Sequence, residues 1–270
     1  MKANNEDRLR FSILASGSSG NVTYVETDQQ RILIDAGLSG KKIQSLMGQI
    51  DRNLADLDAI FVTHEHKDHI HGVGILARKY KVPVYANRAT WQAMERSLGV
   101  IPPEQKRYIE PDQMISLGNI DILSYGVSHD AAQPQFYAFQ KGDKQFAMLT
   151  DTGYVSAKLK SLLKNADAYL IESNHEVEML RYGAYPWSLK QRILSDKGHL
   201  SNEAGALAMV DMIGRKTKAV YLGHLSRENN TKDLAMAAMY NTLSMKDMAV
   251  GQDFNLVMTD PNDACPLHYL

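Results

Sequence analysis

Apolar positions along the 270-residue chain fall into short runs bounded by turn residues, and these runs alternate with segments of helical periodicity. The short runs predict β-strands at Leu9–Ala15, Val22–Glu26, Arg31–Asp35, Leu57–Val62, 83–85, Ile120–Tyr125, Phe136–Gln140, Gln145–Thr150, Ala168–Glu172, Ala219–Gly223 and Phe254–Met258. The periodic segments predict helices at Gly40–Gly48, Asp68–Tyr80, Ala89–Leu98, Ala157–Lys164, Trp187–Ser195, Asn202–Ile213 and Leu234–Met245.

Each half of this pattern places strands before helices, and no low-complexity linker separates the halves. The pattern predicts an α/β (α+β) fold in which two sheets pack together and helices cover both outer faces. We expect a single domain over residues 9–258, made of two similar halves. We also expect a flexible N-terminus at residues 1–8. The C-terminal tail, residues 259–270, is expected to lie over the surface.

Composition narrows the class of protein only coarsely. An apolar fraction of 44% and a charged fraction of 23% are typical of soluble globular proteins. The net charge of −1 argues against a generally basic protein that coats nucleic acid, although a local basic groove is compatible with it. Cys265 is the one cysteine, which excludes an intrachain disulfide and suits a reducing compartment. We therefore expect a soluble, cytoplasmic protein without a membrane anchor; its oligomeric state is left open.

The strongest chemical signal is the segment Thr63–His69, which contains three histidines within seven residues. Four of the nine histidines of the chain fall between positions 64 and 71. Neutral imidazole and carboxylate are the ligands that Zn²⁺ and similar transition metals prefer. The segment directly follows the predicted strand Leu57–Val62, and such a rigid element holds ligands in place. The sequence therefore predicts a metal site here.

Four more acids and imidazoles follow apolar strands elsewhere in the chain. They are Asp35, His129, Asp151 and His224. A single Asp before a glycine turn is ordinary loop chemistry, so each residue alone has a structural explanation. Four repeats of a strand followed by Asp or His instead favour one metal site with more than four ligands.

Together, the histidine-rich segment and the four strand ends resemble the motifs of the metallo-β-lactamase fold superfamily, over about residues 9–258. The resemblance implies an αββα sandwich with two mixed sheets flanked by helices. It also implies a hydrolase that binds two divalent ions, Zn²⁺ or Mn²⁺ with Fe²⁺ also possible. The implied ligands are His64, His66 and His129 for one ion, Asp68, His69 and His224 for the other, and Asp151 as the bridge.

The same resemblance implies roles for two carboxylates beside the ligands. Asp35 would orient a ligand imidazole or the bridging water, because partners behind a ligand fix its tautomer and basicity. Asp68 would also guide the proton of the metal-bridging hydroxide that acts as the nucleophile.

The Gly/Ser loop Ser16–Asn21 narrows the substrate class. Its hydroxyls and amides suit phosphate oxygens, although an ordinary hairpin turn has the same composition. Together with residues 171–175, 198–202 and 224–230, this loop is similar to motifs of the YycJ/WalJ family, whose assigned activity is 5′-to-3′ exonuclease action on DNA with a link to mismatch repair. The resemblance implies DNA as the substrate and DNA-repair proteins as partners. The candidate substrate-binding residues are Ser16, Ser18, Ser19, Asn21, Ser226 and Arg227.

Glu172 and His199 form a second catalytic hypothesis. Transfer-RNA 3′-processing endonucleases of the superfamily carry a Glu and a later His in this order, which implies that Glu172 holds His199 protonated for the leaving oxygen. Alternatively, His199 is a structural residue at the helix cap of Ser201. The short interval between Asp151 and His224 leaves no room for the inserted domain of the β-CASP nucleases.

Three functions stay open at this point. The leading hypothesis is a DNA exonuclease linked to repair. A small-molecule phosphodiesterase or thioester hydrolase of the same fold is the alternative enzyme, and a binding protein that keeps the metals without turnover is the alternative outside enzymes. His175 is left either as a contact to metal or substrate or as a surface histidine.

Overall fold

The computed structural model describes residues 8–270, so the predicted flexible segment 1–8 lies outside the described residues except for Arg8. The strands are β1 (Arg10–Ala15), β2 (Val22–Glu26), β3 (Arg31–Ile34), β4 (Ala59–Phe61), β5 (Val84–Ala86), β6 (Lys106–Tyr108), β7 (Met114–Leu117), β8 (Ile120–Gly126), β9 (Gln135–Lys141), β10 (Lys144–Leu149), β11 (Ala168–Glu172), β12 (Ala219–Gly223), β13 (Asn255–Met258) and β14 (His268–Tyr269). The helices are α1 (Gly40–Gln49), α2 (Lys67–Ile70), α3 (Val73–Tyr80), α4 (Arg88–Leu98), α5 (Ala157–Leu162), α6 (Val177–Tyr182), α7 (Trp187–Ile193), α8 (Asn202–Met212) and α9 (Lys232–Ser244).

Contacts between residues divide the described chain into two compact units. The first unit contains the chain up to Gly126, Ala131–Gln145 and Asp260–Leu270. The second contains Val127–Asp130 and Phe146–Thr259. The single domain expected over residues 9–258 stays a prediction. Among residues 8–270, no helix combines the length and the apolar composition needed to cross a bilayer.

A mixed sheet in the order β14-β1-β2-β3-β4-β5-β6 forms much of the first unit. Strands β1, β2 and β3 pair antiparallel, whereas β3, β4, β5 and β6 are parallel neighbours. Because β3 and β4 are parallel, the residues that follow them meet at one edge, where Asp35 N–H donates to the carbonyl of Phe61 (2.8 Å). Ile43, Leu46 and Met47 of α1 are buried in the core of this unit, and β7, β8 and β9 pair antiparallel.

The C-terminal tail does not simply cover the surface, and that expectation was wrong. Residues of β14 pair antiparallel with β1, with Tyr269 opposite Arg10 and His268 opposite Phe11. Cys265 N–H also donates to the carbonyl of Ile13 (2.9 Å). The tail is therefore part of the first sheet, a pairing that a two-residue strand is too short to signal in the sequence.

The single helix expected over Asp68–Tyr80 was also wrong, because the chain turns between α2 and α3 at Gly72. The amide of Gly72 donates to the carbonyl of Ala36 (2.7 Å), and a Cβ at position 72 would lie 2.4 Å from the carbonyl oxygen of Leu38. The close approach of a distant backbone segment thus breaks a continuous apolar pattern. Strands β6 and β7 and helix α6 are further elements that the pattern did not predict.

In the second unit, parallel strands lie in the order β13-β12-β11-β10, with residues 146–149 of β10 paired to β11. Helix α8 contacts β11, and α9 contacts α8 and β13. Since the strands are parallel, Asp151, Glu172 and His224 follow or end neighbouring strands at the same edge. The strand-end pattern of the sequence corresponds to this edge.

Candidate active site

Asp35 is buried in the first unit, where it contacts Thr63 and His69. Its side chain accepts hydrogen bonds from the amide (2.9 Å) and the hydroxyl (2.8 Å) of Thr63. Its Oδ2 also lies 2.7 Å from Nδ1 of His69. Asp35 therefore fixes the ring of His69 with Nδ1 towards the carboxylate, which leaves Nε2 as the nitrogen for another partner. This geometry is the one expected of a residue that orients a ligand.

The histidine-rich segment packs its imidazoles against one another. The ring centroid of His64 lies 4.6 Å from that of His66 and 4.1 Å from that of His69. The hydroxyl of Thr63 lies 3.0 Å from Nδ1 of His64 and 3.2 Å from Nδ1 of His69. Thr63 had no predicted role, yet it contacts both rings and Asp35. Its position directly before the first histidine was the available signal.

Asn21, at the end of the Gly/Ser loop, contacts Asp68 and His69 of the histidine-rich segment. Nδ2 of Asn21 lies 3.1 Å from Nε2 of His69 and 3.4 Å from Oδ2 of Asp68. Oδ1 of Asn21 accepts from the amide of Gly17 (3.0 Å), and the Asn21 amide donates to the carbonyl of Asp68 (2.8 Å). Because Ser16 and Asn21 are both buried, their side chains serve internal contacts. We therefore narrow the predicted phosphate contact in this loop to the exposed Ser18 and Ser19.

In the second unit, four side chains offer donor atoms that all lie within 4.8 Å of one another: Asp151, Glu172, His199 and His224. Glu172 is fully buried and contacts both imidazoles. Its Oε1 lies 2.7 Å from Nδ1 of His199 and 2.9 Å from Nδ1 of His224, and its Oε2 accepts the amides of Thr152 (3.0 Å) and Leu200 (3.2 Å). One carboxylate thus orients two imidazoles.

The charges of this group follow from its contacts. Burial alone would raise the pKa of Glu172, but the charge and hydrogen bond of His199 and the hydrogen bond of His224 hold it well below its usual range. Burial alone would lower the pKa of His199, but the charge and hydrogen bond of Glu172 raise it above the ordinary value. The His199 side chain is 19% exposed, so it can reach a substrate while Glu172 cannot.

His199 does not cap a helix. The N-cap of α8 is Ser201, whose hydroxyl accepts the amide of Ala204 (3.1 Å), and the imidazole of His199 instead contacts Glu172. The structural alternative for His199 at the cap was therefore wrong.

His129 belongs to the same unit and is in the form that binds metals. Its Nδ1 lies 3.1 Å from the carbonyl oxygen of Gly198, so Nδ1 carries the hydrogen and Nε2 the lone pair. Burial lowers the pKa of His129, which favours the neutral ligand form. Its Nε2 lies 4.0 Å from Oδ1 of Asp151, and the neighbouring Asp130 forms an ion pair with Arg192.

Three of the predicted site residues have left-handed backbone conformations, with φ of 57° at Asp35, 48° at Asp151 and 55° at His224. Each comes within two residues after a strand. Non-glycine residues in this region are uncommon and cluster at functional positions, where the surrounding structure compensates the local cost.

Ser226, Arg227 and His175 complete the candidates. The hydroxyl of Ser226 accepts the amide of Asn229 (3.2 Å), and Arg227 is exposed. His175 is 1% exposed, so the alternative of a surface histidine was wrong. Burial lowers the pKa of His175 to about 4, and within residues 8–270 its Nε2 has no hydrogen-bond partner.

The donor set fits a divalent transition metal. Imidazoles with Nδ1 bonded to a carboxylate or a carbonyl present Nε2 outwards, which is the usual arrangement behind a metal ligand. Asp151 adds a buried carboxylate beside His224, with Oδ1 3.3 Å from Nδ1 of that residue. The chemistry of these residues therefore matches the predicted class of cofactor.

Comparisons with known proteins agree with this fold and chemistry. A family model described as a beta-lactamase superfamily domain matches residues 30–225. The exodeoxyribonuclease WalJ of Streptococcus pneumoniae is 59% identical over 261 residues, which cover 96% of this chain and 97% of that protein. The exodeoxyribonuclease YycJ of Bacillus anthracis is 52% identical over 262 residues, which cover 97% of this chain and 99% of that protein.

A solved structure shares the fold at low sequence identity. The metallo-beta-lactamase fold protein YhfI from Bacillus subtilis superposes with a TM-score of 0.72 at 16% identity, over 96% of this chain and 99% of that chain. This likeness confirms the predicted fold class, two mixed sheets flanked by helices, and the full-length relatives confirm the predicted metallo-hydrolase family. The chain belongs to the beta-lactamase superfamily and, within it, to the group of the WalJ and YycJ proteins.

Proposed function

We propose that this chain is a metal-dependent phosphodiester hydrolase, and specifically a 5′-to-3′ DNA exonuclease linked to DNA repair. The observation that carries the proposal is the identity of 59% and 52% with two relatives named exodeoxyribonuclease, each over nearly the whole of both chains. The contacts of Glu172 with His199 and His224 support hydrolytic chemistry in particular.

The proposal includes two divalent ions, Zn²⁺ or Mn²⁺, with Fe²⁺ also suitable for these ligand types. When bound, such ions supply a water of lowered pKa and neutralise negative charge in the transition state of phosphoryl transfer. The proposed ligands are those that the resemblance implies: His64, His66, His129, Asp68, His69, Asp151 and His224. Asp35 orients His69 through the 2.7 Å contact described above.

His199 is the proposed general acid. Glu172 holds the imidazole by Nδ1 and favours its protonated form, in which Nε2 carries a proton. Transfer of that proton to the leaving 3′-oxygen of the scissile ester would accompany cleavage of the P–O bond. Asp68 is the proposed guide for the proton of the attacking water.

Substrate contacts are proposed for Ser18, Ser19, Ser226 and Arg227. Arg227 is exposed and can form a bidentate contact with a phosphate. With a net charge of −1, the chain relies on such local contacts rather than on a general positive field. DNA-repair proteins as partners and a cytoplasmic location belong to the same proposal.

Digestion of end-labelled DNA tests the function. Metal-loaded protein is incubated with duplex DNA, single strands and bis-p-nitrophenyl phosphate, with EDTA-treated protein as the control. Stepwise release of mononucleotides from the 5′ end supports the exonuclease. Cleavage of the small ester alone would favour a small-molecule phosphodiesterase, and no turnover with metals bound would favour a binding protein.

The role of His199 is tested by His199→Ala at full metal occupancy. Loss of a general acid lowers kcat by roughly 10²–10⁴-fold, and a leaving group that needs no protonation restores most of it. Unchanged turnover of DNA at full occupancy would refute the proposed acid.

A further inference from the structure

A cavity of about 470 Å³ in the first unit lies beside the histidine-rich segment. The residues that carry its chemistry are Ser18, Ser19, Ser39, Lys67, Asp68 and His71. Ligand cavities commonly measure about 300–1,000 Å³, so this one can hold a nucleotide-sized group. Ser18, Ser19 and Asp68 have proposed roles in the exonuclease reaction, whereas Lys67, Ser39 and His71 have none.

Most of the polar groups around this cavity are donors. Ser18, Ser19, Lys67 and His71 are exposed. The hydroxyl of Ser39 accepts the amide of Lys42 (3.3 Å), which leaves its own hydrogen free to donate. Three hydroxyls, an imidazole and an ammonium group therefore line the same cavity.

This combination selects a phosphate with free oxygens. A phosphate monoester carries about −1.5 to −2 charges and three acceptor oxygens near neutral pH, whereas a phosphodiester within a strand carries one charge. A diester also continues in both directions and needs an open groove, but a terminal phosphate can be surrounded by a pocket. Asp68 is the one acidic residue in the cavity lining, so the Lys67 side is the favourable position for the anion.

We propose that this cavity binds the 5′-terminal phosphate of DNA and makes the enzyme prefer 5′-phosphorylated ends. The inference rests on the proposed exonuclease function and adds its end specificity. Asp68 lines the same cavity. The first internal phosphodiester lies one nucleotide from the 5′-phosphate, so a 5′-phosphate bound in the cavity places that phosphodiester within one nucleotide of Asp68. The pocket would thus set the length of the released product as well as the preferred end.

The test compares two labelled duplexes that differ only in a 5′-phosphate or a 5′-hydroxyl. The ratio of kcat/KM for the two substrates is expected to be about tenfold or more in the native protein, since a charge-assisted contact contributes that much to binding. Lys67→Ala and the double variant Ser18→Ala/Ser19→Ala lower this ratio towards one, whereas Lys67→Arg retains most of it. Lys79→Ala removes an exposed lysine from α3 outside the cavity lining and keeps the native ratio.

A binding measurement separates this inference from the function on which it rests. Fluorescence anisotropy of EDTA-treated protein compares a 5′-phosphorylated single strand with its 5′-hydroxyl counterpart, with inorganic phosphate as competitor. Tighter binding of the phosphorylated strand that Lys67→Ala abolishes supports the pocket, even if neither duplex is digested and the exonuclease proposal fails. Equal binding of both strands, or a native kcat/KM ratio near one, would overturn the inference. Competition by inorganic phosphate at the concentration of the oligonucleotide would overturn its assignment to DNA ends.

Discussion

Glu172→Gln probes the carboxylate that orients both His199 and His224 while keeping the shape of the side chain. The native Oε1 accepts from both imidazoles, and Oε2 accepts from two backbone amides. The amide nitrogen of Gln must face one of these pairs. If it faces the backbone amides, two buried donors oppose it, at a cost of about 1–3 kcal/mol for each unsatisfied group.

The alternative placement shifts the cost to metal binding. A Gln nitrogen that faces the imidazoles requires their hydrogens to move from Nδ1 to Nε2, and His224 then lacks a lone pair on Nε2. In the first placement the neutral amide oxygen still accepts from both imidazoles but raises their basicity less than a carboxylate does. Metal binding is therefore weakened in both placements, and loss of such an outer partner costs about 10–100-fold in metal affinity. This factor corresponds to about 1.4–2.8 kcal/mol.

Competition with a chromophoric chelator measures the Zn²⁺ affinity, and thermal unfolding with and without Zn²⁺ measures the linked stability. Glu178→Gln is the matched control, because that residue pairs with Arg181 on an exposed surface where both side chains are 56% exposed. The control should change the free energy of unfolding by less than about 0.5 kcal/mol. Native Zn²⁺ affinity together with native turnover in Glu172→Gln would refute this reasoning.

Two further predictions concern the first unit. Gly37→Ala places a Cβ 1.6 Å from the carbonyl oxygen of Asp68 and should lower the free energy of unfolding by about 3 kcal/mol in urea titrations, whereas Gly48→Ala, with nothing within 4 Å, should not destabilise. Glu26→Gln should cost about 2–3 kcal/mol at pH 7, because buried Glu26 accepts two hydrogen bonds from Arg52. Burial alone would raise the pKa of Glu26, but the hydrogen bonds from Arg52 lower it below the ordinary value of 4.5. The stabilisation by ionised Glu26 is therefore complete above pH 4.5 and is lost as the pH falls through the lowered pKa. Urea unfolding curves of the native protein and Glu26→Gln that remain different in acid would contradict this.

Local chemistry made part of the site predictable. A strand followed by Asp or His is a pattern of adjacent residues, and it identified Asp35, Asp151 and His224 at the sheet edges where the structure has them. The resemblance also paired Glu172 with His199. The second bond of Glu172, to His224, joins residues 52 positions apart, and no local pattern encodes such a contact.

Close contacts between the backbones of distant segments could not be predicted from the sequence either. The helix break at Gly72 depends on the carbonyls of Ala36 and Leu38, and the apolar periodicity of residues 68–80 does not indicate their positions. The same holds for Asn21, which was predicted to contact the substrate but whose side chain lies against Asp68 and His69. Residue type indicates which chemistry is available, whereas tertiary contacts decide where it is used.

Strand β14 has a consequence for solubility. It covers the outer edge of β1, and the last residue continues this pairing through a hydrogen bond from the Leu270 amide to the carbonyl of Leu9 (2.9 Å). Removal of residues 260–270 would leave β1, an apolar strand, with a row of unpaired backbone groups. Open edges of this kind template pairing with other chains. C-terminal truncation should therefore promote aggregation, although the proposed metal ligands all lie before residue 260.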